Sequence, residues 1–112
     1  MSASSEMDYA LKMLQYMRGG SRVNSRVEVE LEWNEGGTTH KVKGYTVDIS
    51  PKGCMAIVPQ EFAVGQKLRL RNGSTQKEAE ATLIWRGHER HTGWELGLEL
   101  EHPPKEFWGV EF

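Results

Sequence analysis

The sequence of 112 residues predicts a single all-β domain, a six-stranded antiparallel barrel in preference to a sandwich, preceded by an N-terminal helix and a flexible arm. Three observations lead to this prediction. Short segments of alternating apolar and polar residues recur along most of the chain, turn residues separate them, and no helical crossover lies between them. We therefore expect one hydrophobic core enclosed by strands.

The first part of the chain has the pattern of a helix. Apolar residues recur at helical spacing over residues 6–18, and Gly19-Gly20 provides a stop signal. Because consecutive glycines restrain the backbone little, the sequence predicts a flexible arm over residues 19–25. The chain is thus divided into a helix and hinge (residues 1–20) and a barrel domain that includes the arm (residues 21–112). Docking of the helix on the barrel and docking on a partner both remain open.

The first two strands follow the arm. Over residues 27–33, apolar residues alternate with three glutamates, which places apolar side chains on one face and carboxylates on the other. This pattern is typical of a half-buried strand. A turn over residues 34–37 leads to a second strand over Lys41 to Ile49, in which Gly44 marks a candidate bulge.

Turn residues separate the four remaining strands. Ser50-Pro51-Lys52-Gly53 suits a type I turn, with proline at the second position and glycine at the fourth. The strands that follow are predicted over Cys54 to Val58, Lys67 to Arg71, Glu78 to Arg86 and Trp94 to Leu100. Pro103-Pro104 ends the sixth strand and leaves an apolar tail that must pack on another surface, with Phe107, Trp108, Val110 and Phe112.

Composition argues against several classes of protein. A net charge of −2 and a pI near 6.1 do not suit a general nucleic-acid binder, so we expect no DNA or RNA partner. The single cysteine, Cys54, excludes an internal disulfide and fits a cytoplasmic location. No segment is long and apolar enough to span a bilayer, so we expect no membrane insertion. His88 and His91 lack further ligands at a recognised spacing, so no metal site is expected.

Basic residues are concentrated just before the first strand. Arg22 and Arg26 are four positions apart, a spacing that returns to the same side of a helix or a strand. Both guanidinium groups can therefore address one ligand. Arginine binds phosphate, or the O6 and N7 acceptors of guanine, through paired donors. A solvated linker that pairs loosely with Glu28 or Glu30 would have the same sequence.

A second polar group lies where the second strand enters its turn. Asp48 and Ser50 are two positions apart and share one face of the strand, while Gly53 offers a backbone amide with no side chain in front of it. A carboxylate complements the guanine edge that carries donors. With the two arginines, these residues could read both guanine edges and neutralise phosphate. Ordinary turn chemistry explains the same three residues without a ligand.

The order and spacing of these residues resemble a known bacterial family. RxxxR at Arg22 and Arg26, followed by DxSxxG at Asp48, Ser50 and Gly53, is similar to the paired motifs of PilZ domains. The resemblance extends from the arm to the C-terminal tail. It implies a six-stranded PilZ-type barrel that binds cyclic di-GMP, with the arginine arm folded over the ligand.

The same resemblance implies a receptor or adaptor, not an enzyme, with cyclic di-GMP as its ligand and no cofactor. In that role the arginines clamp phosphate and the guanine acceptor edge, Asp48 takes the donor edge, Ser50 bonds phosphate or guanine, and Gly53 admits the ligand. The receptor would change conformation and signal to an unidentified protein effector, with motility or exopolysaccharide production as outputs. The alternative is a PilZ-like scaffold that works through protein contacts alone. The number of ligands bound and a homo-oligomeric state remain open.

Overall fold

The computed structural model describes residues 22–110 and 112, and these residues form an all-β fold. The strands are β1 (Val23–Asn24), β2 (Glu28–Glu35), β3 (Thr38–Ser50), β4 (Gly53–Val58), β5 (Lys67–Asn72), β6 (Glu78–Arg90) and β7 (Gly93–Glu101). The described part of the chain contains no helix that could cross a lipid bilayer. The helix predicted over residues 6–18 lies outside the described residues.

Six of these strands close into an antiparallel barrel. Neighbouring strands pair in the order β3-β2-β5-β6-β7-β4, and a further pairing of β3 with β4 joins the two ends of the sheet. Closure leaves these six strands without a free edge, which is how small barrels avoid pairing with other chains. The predicted six-stranded antiparallel barrel is confirmed, and each predicted strand has its counterpart among β2 to β7.

The core is built from the inward faces of the strands. In β2, Val29 and Leu31 are buried while the alternating glutamates on either side of them keep contact with solvent, as the alternation predicted. Full burial of one such side chain contributes about 1.5–3 kcal/mol to folding. The largest aliphatic members of the core cluster are Val29, Leu31, Ile49, Val58, Leu68, Leu70, Leu83, Leu96, Leu98 and Leu100.

A bulge at Val47 reverses the faces of the last residues of β3. Val47 has no partner on β4, so the register shifts between Thr46 and Asp48. Thr46 is buried, and regular alternation would continue inward from it to Asp48. The extra residue instead directs Ile49 into the core and Asp48 to the outer face.

The bulge was expected at Gly44, and this prediction is wrong. Gly44 pairs in regular register with Val29. A Cβ on Gly44 would lie 2.4 Å from the carbonyl oxygen of Ile57 and equally close to a methyl group of Val58. The glycine is therefore required by the close approach of β3 to β4 in the curved wall of the barrel.

The arm was predicted to be flexible, and the structure differs from that prediction over the residues it describes. The two residues of β1 pair with Ile49 and Asp48, along the same edge of β3 as β2. The buried Thr46 hydroxyl accepts a hydrogen bond from the Val27 backbone N–H (2.8 Å) and donates one to the Ser25 carbonyl (2.5 Å). Backbone pairing and these two bonds hold the end of the arm against β3. The earlier part of the arm lies outside the described residues.

Strands β6 and β7 run further than predicted, into the segment His88 to Gly93 between the two predicted strands. Glu95 stabilises this extension because its buried carboxylate accepts a hydrogen bond from the His88 backbone N–H (3.2 Å) and pairs with Arg90. These contacts lie across the turn between β6 and β7 and do not appear in the alternation of apolar and polar residues, so the alternation alone ended β6 too early.

The C-terminal tail packs on the barrel as expected. Phe107 and Trp108 are buried and meet edge to face, with ring centroids 4.9 Å apart. Asn72, itself fully buried, donates a hydrogen bond from Nδ2 to the Phe107 carbonyl (2.9 Å). The predicted packing does not extend over the whole tail, because the side chains of Val110 and Phe112 are exposed.

Candidate ligand-binding site

The end of β3 presents two polar side chains on the outer face of the barrel. Asp48 and Ser50 follow the Val47 bulge on one face, while Ile49 between them points into the core. The shared face predicted for Asp48 and Ser50 is therefore present. Both residues are nevertheless buried, with 6% and 1% of their surface exposed.

Asp48 is the least satisfied group of this site. Nε of Arg22 lies 3.6 Å from Oδ2 of Asp48, which is an ion pair but too long for a hydrogen bond. Oδ1 is buried and has no hydrogen-bond partner within residues 22–110 and 112. Burial raises the pKa of Asp48, and the Arg22 charge and the Met55 backbone amide oppose that rise only in part. The carboxylate therefore has an acceptor to offer to a ligand that carries N–H donors.

Ser50 is fixed by the turn and by the C-terminal tail. Its Oγ accepts a hydrogen bond from the Lys52 backbone N–H (3.1 Å), and its carbonyl accepts one from Nε1 of Trp108 (2.9 Å). In the first of these bonds the hydroxyl is the acceptor, so its own proton can be donated to a ligand oxygen. The hydrogen bond from the Lys52 amide to the Ser50 hydroxyl is the ordinary turn interaction that the sequence also allowed, and it leaves the hydroxyl proton for a ligand.

Gly53 has a packing role that the sequence did not reveal. A Cβ at this position would lie 2.0 Å from the carbonyl oxygen of Leu98, so only glycine lets β4 lie this close to β7. Gly53 pairs with Ser50 across the turn and with Glu99 on β7. The barrel therefore requires this glycine whether or not a ligand approaches it.

The two arginines lie in different surroundings. Arg22 precedes β1 and faces Asp48, whereas the Cζ of Arg26 lies 3.9 Å from the centroid of the Tyr45 ring. The second contact is a cation–π interaction. Tyr45 and Asp48 are three positions apart on β3, which corresponds to about 10 Å along a strand. The structure therefore brings both arginines to the same end of β3, at a separation that a dinucleotide can bridge.

Two contributors were missed by the sequence analysis. Tyr45 faces Arg26 and also shares a hydrogen bond with Thr92, its Oη lying 2.7 Å from Oγ1. Thr46 fixes the arm through its buried hydroxyl. Neither belongs to a recognisable spacing pattern, because only the pairing of β1 and β2 with β3 brings them to the arginines.

Cys54 lies directly behind the site in the core. Burial raises the pKa of its thiol, and the neighbouring Asp48 charge raises it further. The thiol is therefore neutral and inert at ordinary pH. Cys54 is a buried residue of β4, where a strand was predicted to begin.

A cleft beside Arg26 continues the site along the outer face. It has a volume of about 510 Å³ and is lined by Arg26, Glu28, Lys43, Gly44 and Tyr45. Two of these side chains are cations and one is a carboxylate. The cleft therefore suits a ligand that combines anionic groups with hydrogen-bond donors.

Comparison with known proteins agrees with the fold. A family model described as the PilZ domain matches residues 15–107. A search of curated protein sequences finds no match. Among solved structures, the chain is similar to that of the Bacillus subtilis inhibitor of motility (MotI/DgrA), with a TM-score of 0.65 and 18% sequence identity. The alignment covers 79% of this chain and 44% of that one, so this chain spans less than half of that protein, and the likeness concerns the fold.

Proposed function

Because the chain belongs to the PilZ domain family, we propose that it is a receptor that binds cyclic di-GMP and leaves it chemically unchanged. PilZ domains are receptor or adaptor domains, and cyclic di-GMP is the ligand generally associated with them. One observation on this chain carries most of the proposal. It is the buried Asp48 carboxylate, whose Oδ1 lacks a hydrogen-bond donor among the described residues.

Guanine supplies the donors that Asp48 lacks. Its Watson–Crick edge carries adjacent N–H donors, and a carboxylate can accept from two of them at once. An unsatisfied buried acceptor costs about 1–3 kcal/mol, and a bound guanine would remove that cost. Adenine presents an acceptor at the corresponding position. The proposed site is therefore selective for guanine at Asp48.

The arginines supply the complementary groups. Arg22 and Arg26 lie at the same end of β3 as Asp48 and carry planar donors for phosphate oxygens and for the guanine acceptor edge. Ser50 can donate its hydroxyl proton to a phosphate or to guanine. The role of Gly53 in admitting the ligand to the turn stays a prediction, because the space its missing side chain leaves is occupied by the Leu98 carbonyl.

Binding at this site requires a local rearrangement. Asp48 and Ser50 are buried before the ligand arrives, and Arg22 occupies the approach to the carboxylate. We propose that the guanine displaces Arg22 from Asp48 and that Arg22 then turns to phosphate. Since Arg22 directly precedes β1, this exchange moves the chain that leads into the N-terminal residues, and a cytoplasmic protein effector reads the movement.

Isothermal titration calorimetry with cyclic di-GMP tests the proposal. We expect a saturable isotherm for the natural chain and a weak one for Asp48→Asn, which keeps the shape but loses the charge. Arg69→Ala is the matched control because Arg69 lies on β5 and pairs with Glu78 and Glu80, away from β3. The absence of binding heat from the folded natural chain would favour the scaffold alternative.

A further inference from the structure

Among the described residues, Arg26 contacts the face of an aromatic ring and no carboxylate. Its Cζ lies 3.9 Å from the Tyr45 ring centroid, and no ion pair of Arg26 occurs among residues 22–110 and 112. A guanidinium that stacks on a ring by its flat face keeps its N–H donors, which point outward in the plane, out of that contact. Arg26 thus presents its whole donor edge to a ligand.

The Tyr45 ring is itself firmly placed. Its residue pairs with Glu28 on β2 and with Ile57 on β4, so the backbone is held on both sides. The phenol oxygen lies 2.7 Å from Oγ1 of Thr92, in the turn between β6 and β7. Backbone pairing on both sides of β3 therefore sets where the ring lies, and the exposed bond to Thr92 adds little to it. The ring in turn defines where the guanidinium lies.

Arg22 is different in this respect. Its Nε is already engaged with Asp48, so that pair must separate before Arg22 can bind another anion. Arg26 needs no such exchange, because the aromatic contact and a ligand contact use different parts of the guanidinium. Of the two arginines, Arg26 is the one whose binding geometry is prepared in advance.

We propose that Tyr45 is a positioning residue of the ligand site, which fixes Arg26 face-on so that its donor edge meets the phosphate or guanine of the bound ligand. This inference rests on the proposed function and extends it to a residue outside both sequence motifs. The adjoining cleft, lined by Lys43 and Glu28 as well as by Arg26 and Tyr45, gives the ligand its path to that edge.

Three substitutions distinguish the effect of the Tyr45 ring on binding from the effect of its hydroxyl group. Tyr45→Leu removes the aromatic face, and we expect affinity for cyclic di-GMP to fall by about threefold to thirtyfold. Tyr45→Phe keeps the face and loses only the bond to Thr92, so affinity should stay within about twofold. Thr92→Val removes the same bond from the other side and should match Tyr45→Phe. Equal losses for Tyr45→Phe and Tyr45→Leu would overturn the proposal.

A second measurement shows whether Tyr45 acts through Arg26. If it does, Tyr45→Leu should weaken binding in the natural chain and have no further effect in Arg26→Ala. Additive losses would instead mean that Tyr45 contacts the ligand directly, or acts on the fold. Circular dichroism and thermal melting of each variant keep a folding defect apart from a binding defect.

A third measurement needs no ligand. In the free protein the ring current of Tyr45 should shift the side-chain proton resonances of Arg26 upfield, and Tyr45→Leu should abolish the shift while Tyr45→Phe retains it. A natural chain that binds no cyclic di-GMP overturns both the proposed function and this inference. Binding by the natural chain with unchanged affinity in Tyr45→Leu overturns the inference alone.

Discussion

The indole Nε1 of Trp108 donates a hydrogen bond to the backbone carbonyl of Ser50, at 2.9 Å and across 58 positions of the chain. Both residues are buried. The bond joins the C-terminal tail to the residue at which β3 enters its turn, so the tail supports the candidate site as well as the core. Burial of the tail was predictable from its apolar residues, whereas its contact with Ser50 was not.

Substitution of this indole should destabilise the protein. Trp108→Phe leaves the buried Ser50 carbonyl without its donor, and we expect the free energy of unfolding to fall by about 1–3 kcal/mol. Urea denaturation measures this loss. Trp85→Phe is the control, because Trp85 is only half-buried and its indole makes no hydrogen bond within the described residues. Equal losses in the two variants would show that ring volume, not the bond to Ser50, accounts for the effect.

The two arginines should contribute separately to binding. We expect Arg22→Ala and Arg26→Ala each to weaken cyclic di-GMP binding by about tenfold to a hundredfold, since a hydrogen bond to a charged group contributes about 1.5–3 kcal/mol. Calorimetric titration gives the affinities, and circular dichroism verifies folding. If one variant is folded and binds within twofold of the natural chain, the role proposed for that arginine is wrong.

Base selectivity should depend on Asp48. The natural chain should bind cyclic di-AMP much more weakly than cyclic di-GMP, because adenine offers an acceptor where the carboxylate needs a donor. Asp48→Asn should reduce this preference, since an amide can both donate and accept. Competition between the two dinucleotides measures the preference. Equal affinities in the natural chain would mean that the phosphates alone are recognised.

The raised pKa of Asp48 has a consequence for stability. Burial raises the pKa above the ordinary value of 3.8, so the folded protein takes up a proton at this carboxyl more readily than the unfolded chain does. The resulting stabilisation is fully present below 3.8 and is lost as the pH rises through the folded pKa. The stability of Asp48→Asn, which cannot ionise there, should therefore increase relative to the natural chain over that range.

Unfolding by urea at a series of pH values measures this difference. The other carboxyl groups titrate in both proteins, so their contributions cancel in the comparison. A difference between the natural chain and Asp48→Asn that does not change with pH would show that the folded pKa of Asp48 is not raised. A ligand site that retains a buried charge at a cost to stability is a recognised compromise between binding and folding.

The barrel could be predicted from sequence because its strands are governed by alternation. In β2, Val29 and Leu31 point inward simply because they are two positions apart and apolar. The length of β6 could not be predicted in this way, since its last residues depend on the contacts of the buried Glu95 with His88 and Arg90. Local pattern determines which face a residue takes, and tertiary contacts determine where a strand ends.

The candidate site was predictable as a set of residues but not as a geometry. Spacing placed Asp48 and Ser50 on one face, yet the Val47 bulge decides that this is the outer face. Such a bulge depends on how two strands align, and no residue type in β3 indicates its position. The contacts of Arg22 and Arg26 could not be predicted either. The fold places these arginines against Asp48 and Tyr45, not in ion pairs with the glutamates that are near in sequence.

The last prediction concerns the arm and the Thr46 hydroxyl that secures it. Ser25 donates its backbone N–H to the Val47 carbonyl (3.2 Å), and Val27 donates its own to Thr46. A flexible arm would exchange these amide hydrogens rapidly until ligand arrives, whereas the observed bonds should protect them in the free protein. Hydrogen exchange over residues 23–27, with and without cyclic di-GMP, distinguishes the two situations. We expect protection before ligand is added and only a small increase afterwards.

Thr46→Val removes this protection while preserving the shape of the side chain. The Val27 amide and the Ser25 carbonyl then lose their partner in a part-buried position, so exchange over residues 23–27 should become faster and stability should fall by about 1–3 kcal/mol. Binding should weaken as well, because the ligand must then order a loosened arm.

Thr82→Val is the matched control, since it removes a buried hydroxyl on β6 that contacts Lys67 and Glu101. It should lower stability and leave exchange in the arm unchanged. Equal exchange over residues 23–27 in Thr46→Val and the natural chain would mean that β1 is held by its pairing with β3 alone.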